Sequence, residues 1–199
     1  MFQRIIGVLK LDVNTFESIE HDQSATGQAA IIVTVVAILA AIGSFFGAQT
    51  STAAIRSMAE QFGGDFPTEA VAAINPVGLS LSTFIGVFVS WLVWSLLTYL
   101  IGTALFKGQA TVGEMLRVLG FAQAPQLLRL FSFIPCLGAI ISLVAAIWTL
   151  VAGFIAVRQG LDISNGQTVI TVVLSWLVAV FINICVLGPI FGLLGGALG

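Results

Sequence analysis

Five long apolar runs, separated by short polar stretches, organise this chain. They fall at about residues 28–48, 77–106, 112–134, 136–157 and 167–191. A helix of about 20 apolar residues crosses the hydrocarbon of a bilayer, so each run reads as a membrane span. Residues 1–27 carry a different pattern. Phe2, Ile5, Leu9, Val13 and Phe16 recur near helical spacing, with Arg4 and Lys10 among the polar positions. That predicts an amphipathic helix lying in the membrane surface. Asn14, with Glu17 three residues on, predicts the cap of a second short helix running towards His21. The expected fold is all-α: a polytopic, five-span bundle behind a short N-terminal interfacial segment.

The stretches between the runs sharpen this picture. Residues 49–76 read as a long polar loop, with Ile55, Met58 and Phe62 on one face of a short helix that Gly63-Gly64 breaks. Pro67 and Glu69 suit the first turn of another short helix, which Asn75-Pro76 ends. Trp91 and Trp94 lie mid-run, away from the interfaces where aromatics collect, so they are expected between helices. The third run is the unusual one, because it carries Glu114, Arg117 and Arg129, with Pro125 in its middle. Thr111 and Glu114 fit a capping box, and Glu114 and Arg117 are spaced to pair on one helix face. Pro125 removes a backbone donor and predicts a kink, with Gln123 and Gln126 beside it to satisfy the freed carbonyl. The run is read as a broken or tilted span, with a re-entrant helix as the rival. Small residues recur as Ala37/Ala41, Gly43/Gly47 and Gly188/Gly192/Gly196. Such faces let helices approach closely and allow a homo-oligomer.

Composition agrees with a membrane solvent. The chain is 58% hydrophobic and 8% charged, whereas soluble domains carry about 25% charged residues. The net charge of −2 argues against nucleic acid as a partner. Four acids, Asp12, Glu17, Glu20 and Asp22, precede the first run, which is unlike a cleavable leader. Cys136 and Cys185 have no metal-ligand spacing and are expected to be buried, inert thiols.

Candidate chemistry is sparse. A single histidine, His21, excludes a paired-histidine zinc motif, and no Walker A loop is present. Gly78-Leu79-Ser80-Leu81 has the outline of an intramembrane serine-protease motif. Its serine needs a base within hydrogen-bond reach, and His21 is expected across about 30 Å of hydrocarbon from it. The expectation is a protein with no catalytic residues, no metal and no cofactor.

Basic residues set the orientation. With a cytoplasmic N-terminus and five spans, Arg4, Lys10, Lys107, Arg117 and Arg158 fall inside, and Arg56 and Arg129 outside. This asymmetry predicts an internal N-terminus and an external C-terminus. The candidate site is an inner polar cluster of Glu114, Arg117, Gln123, Arg158 and Asp162, placed to hold an anionic lipid headgroup or a membrane-bound protein partner. A purely structural cap and ion-pair girdle is the plainer alternative. A small transporter or channel component is the other functional class, resting on Gln123, Gln126 and Asn183 as mid-membrane polar groups.

Several motifs together carry a family resemblance. They are Phe16, Asp22 and the run Ala25-Thr26-Gly27-Gln28-Ala29, then the block from Gly108 to Pro125, then Pro135, Gly138, Trp148 and Ala156-Val157-Arg158-Gln159. This pattern resembles prokaryotic members of the Yip domain family, the Ypt/Rab-interacting membrane proteins. The resemblance covers nearly the whole chain, and the block from Gly113 to Pro125 is its most specific part. It implies a five-span membrane domain with a cytoplasmic N-terminus. It also implies a non-enzymatic role in membrane organisation, since eukaryotic relatives are associated with Rab-type GTPases, vesicle traffic and membrane shaping. A prokaryotic plasma membrane is the expected location.

Overall fold

The computed structural model describes residues 1–62, 75–132, 137–182, 184–185 and 189. The elements among them are all helical: α1 (Phe2–Leu9), α2 (Val13–His21), α3 (Ala25–Phe62), α4 (Pro76–Phe106), α5 (Val112–Phe121), a 3-10 helix (Ala124–Phe131), α6 (Gly138–Leu161) and α7 (Asn165–Ile182). Among the described residues, four helices, α3, α4, α6 and α7, are long and apolar enough to cross a membrane. Many of their large side chains are exposed, among them Ile42, Leu92, Leu143, Leu150, Trp176 and Phe181. In water each exposed square ångström of such surface costs about 25 cal/mol relative to burial, so lipid is the solvent that suits these faces. The chain is an integral, multi-pass membrane protein.

Three local expectations change. The first run is part of a 38-residue helix rather than a span followed by a loop. Gln49, Thr50, Ser51 and Thr52 are polar, but none of them breaks a helix. Thr50 and Thr52 donate back to the carbonyls of Phe46 and Ala48, at 3.1 and 2.8 Å, which hides their polarity inside the helix. The expected break at Gly63-Gly64 and the short helix from Pro67 lie outside the described residues. The cap of α2 is Asp12, not Asn14, with its carboxylate accepting from the Thr15 N–H.

The third change concerns the run around Pro125. The sequence predicts a broken or tilted span over 112–134, bent at Pro125. The structure shows the break and not a kink within one helix, ending α5 at Phe121 and starting a separate 3-10 helix at Ala124 with Pro125 in its first turn. First-turn N–H groups have no intrahelical acceptor, so proline loses nothing there and opens a helix instead of bending one. The Oε1 of Gln126 is buried with no hydrogen-bond partner among the described residues.

The chain forms two compact units, Met1–Val36 with Phe88–Phe181, and Ala37–Val87 with Ile182–Gly199. In the first, Gly153 lies against Trp94 and Gly102 against Leu161. The order is the same along both helices, so α4 and α6 run parallel. Gly160 packs on Met115 and Val118, while Leu128 and Phe131 meet Ile140, Ile141 and Val144. The stretch from α5 through the 3-10 helix therefore runs antiparallel to α6. Trp91 is buried and donates its indole N–H to the Leu116 carbonyl at 3.2 Å. The helices α1 and α2 fold back on each other; α2 packs on α5 and α6, and α1 on the 3-10 helix. Val8, Phe16, Ile19, Met115, Val118, Val157 and Leu161 are buried in this unit.

In the second unit, Ala41, Ile42, Phe45, Phe46 and Ser80 line an apolar recess. Among the described residues, nothing lies within 4 Å of a Cβ added at Gly43 or Gly47. Cys185 is exposed, against the expectation of burial; Cys136 lies outside the described residues.

Candidate functional site

Glu20, Glu114, Arg117 and Asp162 come together where α2, the N-terminus of α5 and the C-terminus of α6 converge. The start of α5 has the capping box expected from its sequence. Thr111 Oγ1 accepts from the Glu114 N–H at 3.2 Å, and the Glu114 carboxylate accepts from the Thr111 N–H at 2.6 Å. One turn further on, Arg117 is buried. Its Nε donates to the Glu20 carbonyl at 3.0 Å, and its Nη2 donates to the same oxygen. Glu20 lies in the last turn of α2, where carbonyls lack intrahelical donors and the helix dipole is negative. A guanidinium answers both needs. Arg117 also faces Glu114 at 3.9 Å.

Glu20 is itself buried, with its side chain 6% exposed. Burial pushes its carboxyl up to about 7; His21 opposes the shift, while Asp162, Glu114 and Glu17 add to it. The hairpin is closed beside it by Arg4, whose Nη2 donates to Asp22 at 2.6 Å. Hydrogen bonds from Ser24 and Arg4 hold the Asp22 carboxyl down at about 2.

Two turns complete this end. Asp162 is exposed and caps α6 in the left-handed region, φ 52°, with its N–H directed to the carbonyls of Arg158 and Gln159. Aspartate tolerates that conformation better than most residues. The Gln109 N–H donates to the Leu161 carbonyl at 3.0 Å, which ties the turn after α4 to the turn after α6. Gly108 is required by this approach, because a Cβ there would meet the Leu161 carbonyl oxygen at 2.9 Å.

Of the residues singled out from sequence, Glu114 and Arg117 come together, and Glu114 and Asp162 both lie close enough to Glu20 to raise its pKa. Arg158 is half-buried in the last turn of α6. Gln123 stands apart, at the N-cap of the 3-10 helix beyond the far end of α5. Asn183 lies outside the described residues. Lys10, Lys107 and Arg158 form no ion pair among the described residues. Sequence reasoning missed Glu20 and the Arg4–Asp22 pair. Glu20 had one available signal, its place on the apolar side of α2 beside Phe16 and Ile19.

The remaining chemistry is limited. No group of three or more metal-ligating side chains occurs among the described residues. Ser80 donates its hydroxyl to the Pro76 carbonyl at 2.7 Å, an ordinary intrahelical bond. Among known proteins, the family model of the Yip1 domain matches residues 6–187. No curated protein and no solved structure matches the chain.

Proposed function

We propose a function on one premise: the chain belongs to the Yip1 domain family. It acts as a non-enzymatic integral membrane protein that organises membrane by binding anionic lipid headgroups at its polar end. A membrane-bound protein partner is the second occupant of that end. The observation that carries this reading is a division of labour among the basic residues. Arg117 is committed to the Glu20 carbonyl and Arg4 to Asp22, while Lys10, Lys107 and Arg158 form no ion pair among the described residues, Lys10 acting on the Asp12 carboxylate only at longer range. In this reading Glu114, Arg117 and Asp162 hold the frame, and Lys10, Lys107 and Arg158 supply charge to headgroups. Gln123 lies outside the binding end.

The proposed topology has five crossings, with the N-terminus in the cytoplasm of a prokaryotic cell and the C-terminus outside the plasma membrane. The parallel course of α4 and α6 supports it, because the chain between them must return across the membrane. The ten residues of α5 and eight of the 3-10 helix span about 31 Å at 1.5 and 2.0 Å per residue. The open side of Gly43 and Gly47 leaves room for a second copy of α3, which supports a homo-oligomer.

The test of the headgroup reading is native mass spectrometry of the detergent-solubilised protein with equal phosphatidylglycerol and phosphatidylcholine. Lys10→Gln, Lys107→Gln and Arg158→Gln together should lower the preference for phosphatidylglycerol by up to about fivefold per charge, with helix content unchanged. An unchanged preference would overturn it. A small transporter or channel component is the second reading, favoured by Ser95, Gln126 and Ser175, whose polar side-chain atoms are buried without partners. Solute flux in proteoliposomes tests it.

A further inference from the structure

A second feature lies at the opposite end of α6. Leu128 and Phe131 of the 3-10 helix and Ile140, Ile141 and Val144 of α6 line an open groove of about 340 Å³. All five are apolar. Leu128 and Phe131 are three residues apart, which places them on one face of a 3-10 helix.

Arg129 stands between them in sequence and is exposed. It makes no ion pair among the described residues. The elements packed most extensively on the 3-10 helix are α1 and α6, and neither contains an aspartate or glutamate; nor does the 3-10 helix itself. Nothing on these elements can neutralise the guanidinium. A cation on an otherwise apolar, lipid-facing surface is expensive unless it is paired.

The position along α6 identifies what pairs it. Gly160 packs on Met115 and Val118, at the polar end. From Gly160 to Ile141 is 19 residues, about 28 Å of helix. That is close to the thickness of bilayer hydrocarbon, about 30 Å. The groove thus opens near the far boundary of the hydrocarbon, where a long arginine side chain carries its charge into the headgroup layer.

We propose that Arg129 and this groove form a site for one anionic phospholipid of the far leaflet, with an acyl chain against Leu128, Phe131, Ile140, Ile141 and Val144 and the phosphate on the Arg129 guanidinium. Arginine suits the task, since its planar fork donates two parallel hydrogen bonds to phosphate oxygens. The apolar walls select a lipid over a soluble phosphate. This site uses none of the basic residues of the polar end, and its assignment to the far leaflet rests on the proposed topology.

The experiment uses the full chain carrying Lys10→Gln, Lys107→Gln and Arg158→Gln, so that any remaining headgroup preference belongs to the far end. Native mass spectrometry is run with equal phosphatidylglycerol and phosphatidylcholine. This parent should retain one phosphatidylglycerol with a preference of about fivefold, the size expected for one basic side chain at an anionic surface. Arg129→Gln should bring the preference to parity, and Arg129→Lys should keep part of it. Val144→Trp, which fills the groove, should remove the bound lipid of either kind. Inorganic phosphate should not displace it. Circular dichroism checks that each variant keeps the helix content of the parent. If Arg129→Gln and Val144→Trp retain the lipid count and preference of the parent, the proposal is wrong. It is equally wrong if Arg129→Gln lowers thermal stability alone and leaves lipid binding untouched, or if inorganic phosphate competes.

Discussion

Arg117 and the backbone carbonyl of Glu20 are 97 positions apart in sequence and are joined by two hydrogen bonds. This contact fastens the N-terminal hairpin of α1 and α2 to the start of α5. It uses a buried cation to complete the last turn of a helix. Removing the cation leaves a carbonyl without a donor and a carboxylate, Glu114, without its neighbour. Arg117→Ala should therefore destabilise the protein by about 1.5–3 kcal/mol, the range for a lost charge-assisted hydrogen bond. Thermal melting in detergent reads this, and limited proteolysis between residues 10 and 24 should accelerate with it. An unchanged melting temperature and cleavage rate would show that the contact is incidental.

Glu20 makes the hairpin's docking depend on pH. Its carboxyl is raised from 4.5 to about 7 by burial, so the folded state binds the proton more tightly than the unfolded state. The stabilisation is fully present below pH 4.5 and is lost as pH rises through about 7. The loss is on the order of 3 kcal/mol. Asp22 acts in the other direction, losing its contribution as pH falls towards about 2, so the two windows do not overlap. Glu20→Gln should flatten the melting temperature between pH 4.5 and pH 7 and raise it at pH 8. A variant that keeps the slope of the wild type would assign the titration to another group.

Close packing in the first unit gives a third expectation. A Cβ at Gly120 would lie 2.7 Å from the Ala29 Cβ and 3.2 Å from Trp91 Cζ2. Gly120→Val should cost about 1–3 kcal/mol by overpacking. Trp91→Phe keeps most of the ring but loses the bond to the Leu116 carbonyl, and should cost about 1 kcal/mol. Melting of both variants checks this. If Gly120→Val is as stable as the wild type, α3, α4 and α5 do not meet as described.

Most helices were legible because their signals are local. Apolar runs mark α4 closely, α6 to within a few residues and the start of α7, the end of the fifth run lying mostly outside the described residues; Thr111 with Glu114 marks the start of α5. The length of α3 was not legible, because polarity after Gln49 resembles a loop although no residue there breaks a helix. A break near Pro125 was legible, but its form was not, because proline reads alike inside a helix and at the first turn of a new one. At the site, Glu114 and Arg117 were visible as an i,i+3 pair. The main partner of Arg117 was not, since a backbone carbonyl 97 residues away leaves no trace in composition or spacing. Asp162 was seen as a charge, not as a left-handed cap.

The proposed topology puts the α1–α2 hairpin and the turns after α4 and α6 on one membrane face and the C-terminus on the other. Impermeant thiol labelling tests this directly in vesicles of known sidedness, with Cys136 and Cys185 replaced by alanine. Single cysteines are placed at Ser24, Lys107 and Ser164, and one is appended after Gly199. The account predicts that the first three label from the cytoplasmic side alone and the appended one from the outside alone. Labelling of Lys107→Cys and Ser164→Cys from opposite sides, or of both termini from the same side, would contradict it.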